Sequence, residues 1–263
     1  LIDLVIRNKG KNRLTGKDSI QFEQYDKLKF GFLDPNVSQK KGLLDLGYLF
    51  QNVDTLSQPG KKLLAIYQEE SNAHVYGKQN PSKFKKQIFS QKKTEFDKRY
   101  INNPNVQEFM NYMFQQVDVY DESVYLLNKQ FLSPIADNGK IYYKYFITDT
   151  IFNDEGYYIQ LAFEPRNQED LLFSGNLEIS MDGSYAVKRA QLKLNKQTNV
   201  NWLKDGEIRF HYRKNEDGVM LSDTTMTFLT LGVGSGESIF AQRLSINDAY
   251  QLNAPFPAHV FQG

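Results

Sequence analysis

The segment IYYKYFITDTIFNDEGYYIQLAFE, residues 141–164, decides how this chain folds. Ile141, Tyr143, Tyr145 and Ile147 alternate with Tyr142, Lys144 and Thr148. After Asn153–Gly156 the alternation resumes, with Ile159, Leu161 and Phe163 opposing Gln160 and Glu164. A period of two sends successive side chains to opposite faces of a strand, so the spacing predicts strands over 141–152 and 157–164, one face apolar and one wet. Just upstream, Asn138–Gly139 is a two-residue hairpin signal.

The same pattern extends in both directions. Segments 173–181 and 185–194 flank Asp182–Gly183, segments 207–213 and 219–231 flank Asn215–Gly218, and 238–246 adds another strand. Leu177, Ile179 and Met181 oppose Asn176, Glu178 and Ser180, while Ile208, Phe210 and Tyr212 oppose Arg209, His211 and Arg213. Residues 124–132 read as a strand ending at Ser133–Pro134. Nearer the start, Ile20, Phe22, Leu28, Phe30 and Phe32 share one face and Gln21, Glu23, Lys27 and Lys29 the other, up to a stop at Asp34–Pro35–Asn36. Leu63–Tyr67 is a strand entered through the Pro59–Gly60 turn, and the apolar stretch Leu43–Val53 fits either a helix or a strand. No β-α-β rhythm interrupts the turns, which is the signature of an antiparallel meander. Nineteen Phe and sixteen Tyr in 263 residues agree with it, because aromatic side chains favour strands and bury large areas.

Helical spacing occurs in two places. Val106, Phe109, Met110, Met113, Phe114 and Val117 follow the start signal Asn103–Pro104–Asn105 and predict the main helix over 106–118. Its methionines suit an adaptable binding surface, although a core stripe is the plainer reading. Leu1, Leu4 and Val5 share a face of a helix over residues 1–9, followed by an irregular charged stretch, Gly10–Asp18. The periodicity at Leu1 is already under way, which reads as a piece of a longer protein. The expected fold is α+β: a large curled antiparallel sheet, an open half-barrel built as a meander of hairpins, with one or two helices against its apolar face. Residues 1–252 form one unit, and 253–263, with Pro255–Phe256–Pro257, form an extended strap toward a following domain. Sheets of about ten strands curl or split. So few helices leave apolar face to pack on another domain or to enclose a cavity.

Composition excludes several functions. Lys plus Arg number 32 against 31 Asp plus Glu, a net charge of +1, which argues against a strong nucleic-acid or anionic-membrane binder. No run reaches the ~20 apolar residues of a membrane-spanning helix. Without cysteine there are no disulfides, thiolate nucleophiles or cysteine-ligated metals. His74, His211 and His259 are dispersed, so neither a metal nor a cofactor is expected, and His211 should face solvent with Arg209 and Arg213. Gly232–Glu237 begins like a dinucleotide loop but lacks its last glycine and any following helix, so it reads as a turn. Asp118, Asp121 and Glu122 cluster without the glycine and spacing of a calcium loop; a solvated helix end is the plainer reading. Trp202 is read as core, and Asn36–Val37–Ser38 is a lone glycosylation triplet. The lysine-rich stretch 77–99 reads as a mobile loop with room for one strand. Lys83, Lys85, Lys86, Lys92 and Lys93 in it are candidate contacts for phosphate or an acidic partner, against the plain reading of a solvated loop.

Residues 128–139, NKQFLSPIADNG, with Tyr142–Tyr143–Lys144–Tyr145, Phe50–Gln51–Asn52–Val53–Asp54, Phe173–Ser174–Gly175–Asn176 and the exit Pro255–Phe256–Pro257, resemble a family of large Bacteroidota cell-envelope proteins of unknown function. Its usual plan is a carboxypeptidase-regulatory-like β-sandwich, a middle domain, and a C-terminal outer-membrane β-barrel. The resemblance implies that this chain is the middle domain, on the periplasmic side of the outer membrane and beside that barrel, and it supplies no catalytic residues. More weakly, Phe173–Leu194 is similar to the strand–turn–strand of lipoprotein-carrier and sorting domains, which implies an open half-barrel around an apolar cavity.

Three functions are then expected in order. The first is a non-enzymatic envelope domain that holds a lipid, a lipoprotein acyl chain or an exported polypeptide in an apolar concavity. Its candidate lining is Ile141, Tyr143, Tyr145, Ile159, Leu161, Phe163, Leu177, Ile179, Phe210 and Tyr212. For each of these, ordinary core is the plainer reading. The second is a structural or docking module without a small-molecule ligand. The third is an envelope glycan hydrolase working through two acids, for which no nucleophile, base and orienter assemble.

Overall fold

The computed structural model describes residues 1–14, 19–33, 53–54, 63–79, 82–95, 104–195, 203–233, 237–257 and 260–261. The turns at 34–36 and 59–60, most of 43–53, the glycosylation triplet, Trp202, His259 and the Gly234–Gly236 part of the glycine turn lie outside them.

The helices are α1 (Ile2–Asn12), α2 (Pro104–Met113) and the single turn α3 (Gly139–Tyr142). The strands are β1 (Ser19–Leu33), β2 (Val53–Asp54), β3 (Leu63–Gln79), β4 (Ser82–Glu95), β5 (Ser123–Leu126), β6 (Lys129–Leu132), β7 (Tyr143–Asn153), β8 (Gly156–Pro165), β9 (Phe173–Ser180), β10 (Val187–Leu194), β11 (Leu203–Lys214), β12 (Met220–Val233) and β13 (Glu237–Leu252). Eleven of them form one open antiparallel sheet, with β5 and β6 as a separate hairpin. From β7 to β13 neighbours in sequence are neighbours in space; then β1 pairs with β13, β3 with β1, and both β2 and β4 with β3. The α+β expectation of a large open antiparallel sheet with helices against its apolar face therefore holds.

Local chemistry fixes the hairpins. At Asp182–Gly183 the aspartate oxygen accepts the Ser184 amide at 2.9 Å, and Gly183 takes φ +91°, a value its missing Cβ permits. At Asn215–Gly218 the Asn215 side chain accepts the Val219 amide at 2.8 Å, and Gly218 sits at φ +81°.

Several expectations need correction. Within 77–99 the described residues are strand and not loop: β3 runs to Gln79 and β4 spans 82–95, so Lys83, Lys85, Lys86, Lys92 and Lys93 stand on a paired strand, while 80–81 and 96–99 lie outside the described residues. The predicted strand 124–132 is two short strands, broken where Leu127 takes φ +56°. Asn138–Gly139 makes no hairpin turn; Asn138 precedes α3, and β7 begins only at Tyr143. The charged stretch after residue 9 stays helical to Asn12, whereas α2 ends at Met113, earlier than its apolar spacing implies.

Candidate functional site

The concave side of the sheet has two chemically distinct halves. Across β7–β11 it is apolar and filled by the protein itself. Phe131 stacks on Phe173 with centroids 4.6 Å apart, and Tyr120 meets Tyr212 edge-on at 5.2 Å. Val5 of α1 and Val119, Val124 and Ile135 complete this core. The buried phenols are satisfied by backbone and carboxylate. Tyr120 Oη donates to the Val187 carbonyl at 3.1 Å and accepts the Val187 amide at 2.8 Å; Tyr212 Oη donates to Asp118 Oδ1 at 2.6 Å and accepts the Val119 amide at 3.1 Å. Burial raises both tyrosine pKa values and pushes the Asp118 carboxyl up to about 6.

The acid cluster after α2 is thereby accounted for, and not as a solvated helix end. Asp118 serves Tyr212, Asp121 pairs with Arg13, and Glu122 pairs with Lys9, which also reaches Asp137 at 2.8 Å. The pairs with Lys9 and Arg13 tie α1 and the residue after it to the 121–137 segment. Among the described residues no group of histidines and acids stands placed to hold a metal ion.

Of the ten predicted lining residues, Tyr143, Leu161, Phe163, Leu177, Ile179, Phe210 and Tyr212 belong to this single core, and Tyr145 packs against it. Tyr143 and Phe163 meet edge-on at 5.5 Å, and the hydroxyls of Tyr143 and Tyr145 donate to the carbonyls of Leu132 and Pro134, each at 2.7 Å. Ile159 is half-buried. Ile141 is misplaced by the sequence reading: it lies on α3, 67% exposed, away from the strand alternation.

The other half of the inner face carries a polar stripe between apolar residues such as Phe22 and Phe30. Cross-strand registers set Thr227, Arg243, Leu28, Glu69 and Lys93 in one row, and Thr225, Ser245, Asp26, Ser71 and Gln91 in the next. Asp26 is 1% exposed and accepts a hydrogen bond from Arg243 Nε at 2.8 Å; Nη2 lies 2.7 Å away as an ion pair without an aligned hydrogen bond, and Lys86 from β4 pairs with the same carboxylate. Arg243 Nη1 donates onward to the carbonyls of Met113 and Gln115, at 3.2 and 2.9 Å, just where α2 ends. Helices leave their last carbonyls without partners, so this arginine caps α2 while it pairs with β1. Gln24 and Asn247 bond at 2.9 Å beside it. Sequence reasoning missed this stripe. Its signal was that 24 and 26 are the two polar gaps in the series Ile20, Phe22, Leu28, Phe30.

Of the histidines, His74 lies on β3 and His211 on β11, each beside one acid. His211 shares the convex face with Arg209 and Arg213 as expected, yet it is only partly exposed: Nδ1 lies 2.9 Å from Asp223, and Nε2 is enclosed without a partner. His74 Nδ1 lies 3.8 Å from Glu23 in a groove of about 210 Å³ shared with Gln21, Tyr76 and Gln251. The strap reaches this region too, with Phe256 at 6.0 Å from Tyr76 and the Asn253 amide on the Ser19 carbonyl at 2.8 Å.

Exposed apolar side chains among the described residues include Tyr125, Ile141, Tyr142 and Ile246, and two further groups stand at the edges of the sheet. On β7, Phe146 and Ile147 are exposed, the latter by 61%, and Phe152 by 82%. Ile147 stands opposite Leu161, and Phe152 opposite Tyr157, so both extend the core-facing row of β8 past the filled region. On β4, Phe84, Ile88 and Phe89 are each at least half exposed. Lys83, Lys85, Lys92 and Lys93 are exposed beside them, whereas Lys86 turns inward to Asp26.

The profile of a family described as a family of unknown function (DUF5686) matches residues 44–236. No curated protein matches the chain. Among solved structures the chain is similar to a DUF1329 family protein from Desulfovibrio piger ATCC 29098, at 11% identity, TM-score 0.37, covering 99% of this chain and 95% of that one. It is also similar to a putative outer membrane lipoprotein-sorting protein domain from Vibrio parahaemolyticus, at 7% identity, TM-score 0.36, covering 98% and 94%.

Proposed function

The chain belongs to the family of unknown function DUF5686, and from that premise we propose that it is a non-enzymatic docking domain of a larger cell-envelope protein. It receives an extended, apolar polypeptide segment along the free edge of β7. One observation carries this reading: among the described residues the outermost strand on that side, β7, has no strand partner on its outer edge, and exposed Phe146, Ile147 and Phe152 flank that edge. An edge of that kind invites strand addition, in which main-chain hydrogen bonds give affinity and alternate side chains give selectivity. The filled half of the concavity supports docking over enclosure of a lipid, since Tyr143, Leu161 and Phe163 already contact the protein's own core. The non-enzymatic reading is supported by Asp121 and Glu122, the acids nearest to a catalytic arrangement in sequence, being paired with Arg13 and Lys9.

The test has two arms. Hydrogen exchange of β7 amides is followed with and without a synthetic decapeptide of alternating valine and threonine. Protection confined to β7, and lost in Phe146→Asp/Ile147→Asp, is the expected result. Protection elsewhere, or none, overturns the edge as the site. Native mass spectrometry after organic extraction supplies the second arm: a stoichiometric lipid carried through purification would favour the enclosed-cavity reading instead.

A further inference from the structure

At the opposite edge of the sheet, we propose that the rim formed by β4 docks on an anionic lipid surface. The whole-chain charge of +1 conceals a local asymmetry. Along β4, Lys83, Phe84 and Lys85 are followed by Ile88 and Phe89 and then by Lys92 and Lys93. The apolar centre of the strand is thus bracketed by lysines at both ends, and about 3.3 Å of rise per residue spreads this pattern along one continuous rim.

Pairing with acids leaves part of that charge free. Lys86 and Lys93 turn to the concave side, toward Asp26 and toward Glu69 at 3.7 Å. Glu70 stands directly across from Lys92 in the ladder, but Lys27 holds it at 2.7 Å. Among the described residues Lys83, Lys85 and Lys92 therefore have no carboxylate partner. The registers place these three on the convex side with Phe89, whose ring lies 4.7 Å from that of His74, while Phe84 and Ile88 stand on the concave side.

Both faces of an edge strand are thus furnished, and the pattern fits a bilayer approached by the rim. The aromatic and aliphatic side chains enter the interface, while the lysines remain at headgroup level with their stems covering apolar surface. A soluble acidic protein would use the lysines and leave Phe84, Ile88 and Phe89 in water; an uncharged apolar partner would bury the lysines unpaired. Only an anionic surface with an apolar interior satisfies both sets, and clustered lysines near such a surface add attraction that salt screens.

The experiment is co-sedimentation of the chain with vesicles of phosphatidylcholine alone and of phosphatidylcholine with 30% phosphatidylglycerol. Binding is expected only to the anionic vesicles, falling as salt rises from 50 to 500 mM. Lys83→Gln/Lys85→Gln/Lys92→Gln should weaken it by roughly a hundredfold, from a few-fold attraction per lysine, with an unchanged circular-dichroism melt. A Phe89→Trp variant in a Trp202→Phe background reports insertion directly, through a blue shift of its emission on anionic vesicles. Equal binding of the triple variant, no binding to anionic vesicles, or poly-glutamate binding without vesicle binding would each overturn the proposal, the last in favour of an acidic protein partner.

Discussion

Replacing Asp26 by leucine removes the hub of the polar stripe. Two cations converge on that carboxylate: Arg243, which donates from Nε and is ion-paired through Nη2, and Lys86. The Arg243 side chain is only 6% exposed, so without Asp26 its charge stays buried and faces a second cation. Breaking a buried pair from one side costs about 3–5 kcal/mol. That is a large part of the ~5–15 kcal/mol typical of a folded domain. Arg243→Met should cost a similar amount, because it also strips the donor from the Met113 carbonyl, and an unsatisfied buried acceptor costs about 1–3 kcal/mol. In the double variant no buried charge is left unpaired, since half-exposed Lys86 can turn to water. Its total loss should be about 1–3 kcal/mol, far below the sum of the single losses. Urea denaturation followed by circular dichroism reads all four corners of the cycle, with the slope checked for constancy. A coupling below about 0.5 kcal/mol, the level of independent sites, or a loss under about 1 kcal/mol for Asp26→Leu, would refute the claim that this pair fastens β1, β13, β4 and the end of α2.

Three further outcomes follow from the geometry. A Cβ on Gly175 would overlap the Gln191 carbonyl oxygen and stand 2.9 Å from its carbon, so Gly175→Ala should open the β9–β10 ladder and leave little folded protein at 37 °C, as seen by protease resistance. Asp118 binds its proton more tightly folded, at about 6, than unfolded, at 3.8, so its contribution is most favourable below pH 4 and declines as pH rises to 6. The stability of the wild type minus that of Asp118→Asn should therefore fall across that window and level off above it; a difference that rises with pH, or does not change, contradicts the assignment. Phe131→Ala empties the stack on Phe173 and should cost about 3–5 kcal/mol in urea denaturation, while Phe152→Ser, at the exposed tip of β7, should stay within about 0.5 kcal/mol of wild type.

The two candidate surfaces differ in how far they could be read beforehand. The β4 lysines were visible as a charge run, but composition suggested a loop, because a strand rich in lysine is paired here only through its partner β3. Phe84, Ile88 and Phe89 then gain meaning from being at an edge. The β7 alternation was plain in sequence, and it was read as concave lining; whether such a row is core or surface depends on what packs over it. Tyr143 is covered by the segment around Leu132, and Phe152, nine residues on in the same strand, touches the ring of Tyr157 and is otherwise 82% exposed.

By itself the sequence determined the strands from β7 to β13, the two faces of most of them, and the turns at Asn153–Gly156, Asp182–Gly183 and Asn215–Gly218, because period-two alternation and turn residues act over a few neighbouring positions. It also supplied helical spacing at both ends of the first half. The tertiary structure alone decided that β1 inserts between β13 and β3, joining Ile20 to Leu252 and Gly77. It alone decided that α1 and the 118–137 segment fill the apolar half, and that Gln24 and Asp26 lie inside. A polar residue reads as surface until a partner more than two hundred positions away, Arg243, makes its burial favourable, and no local pattern carries that information.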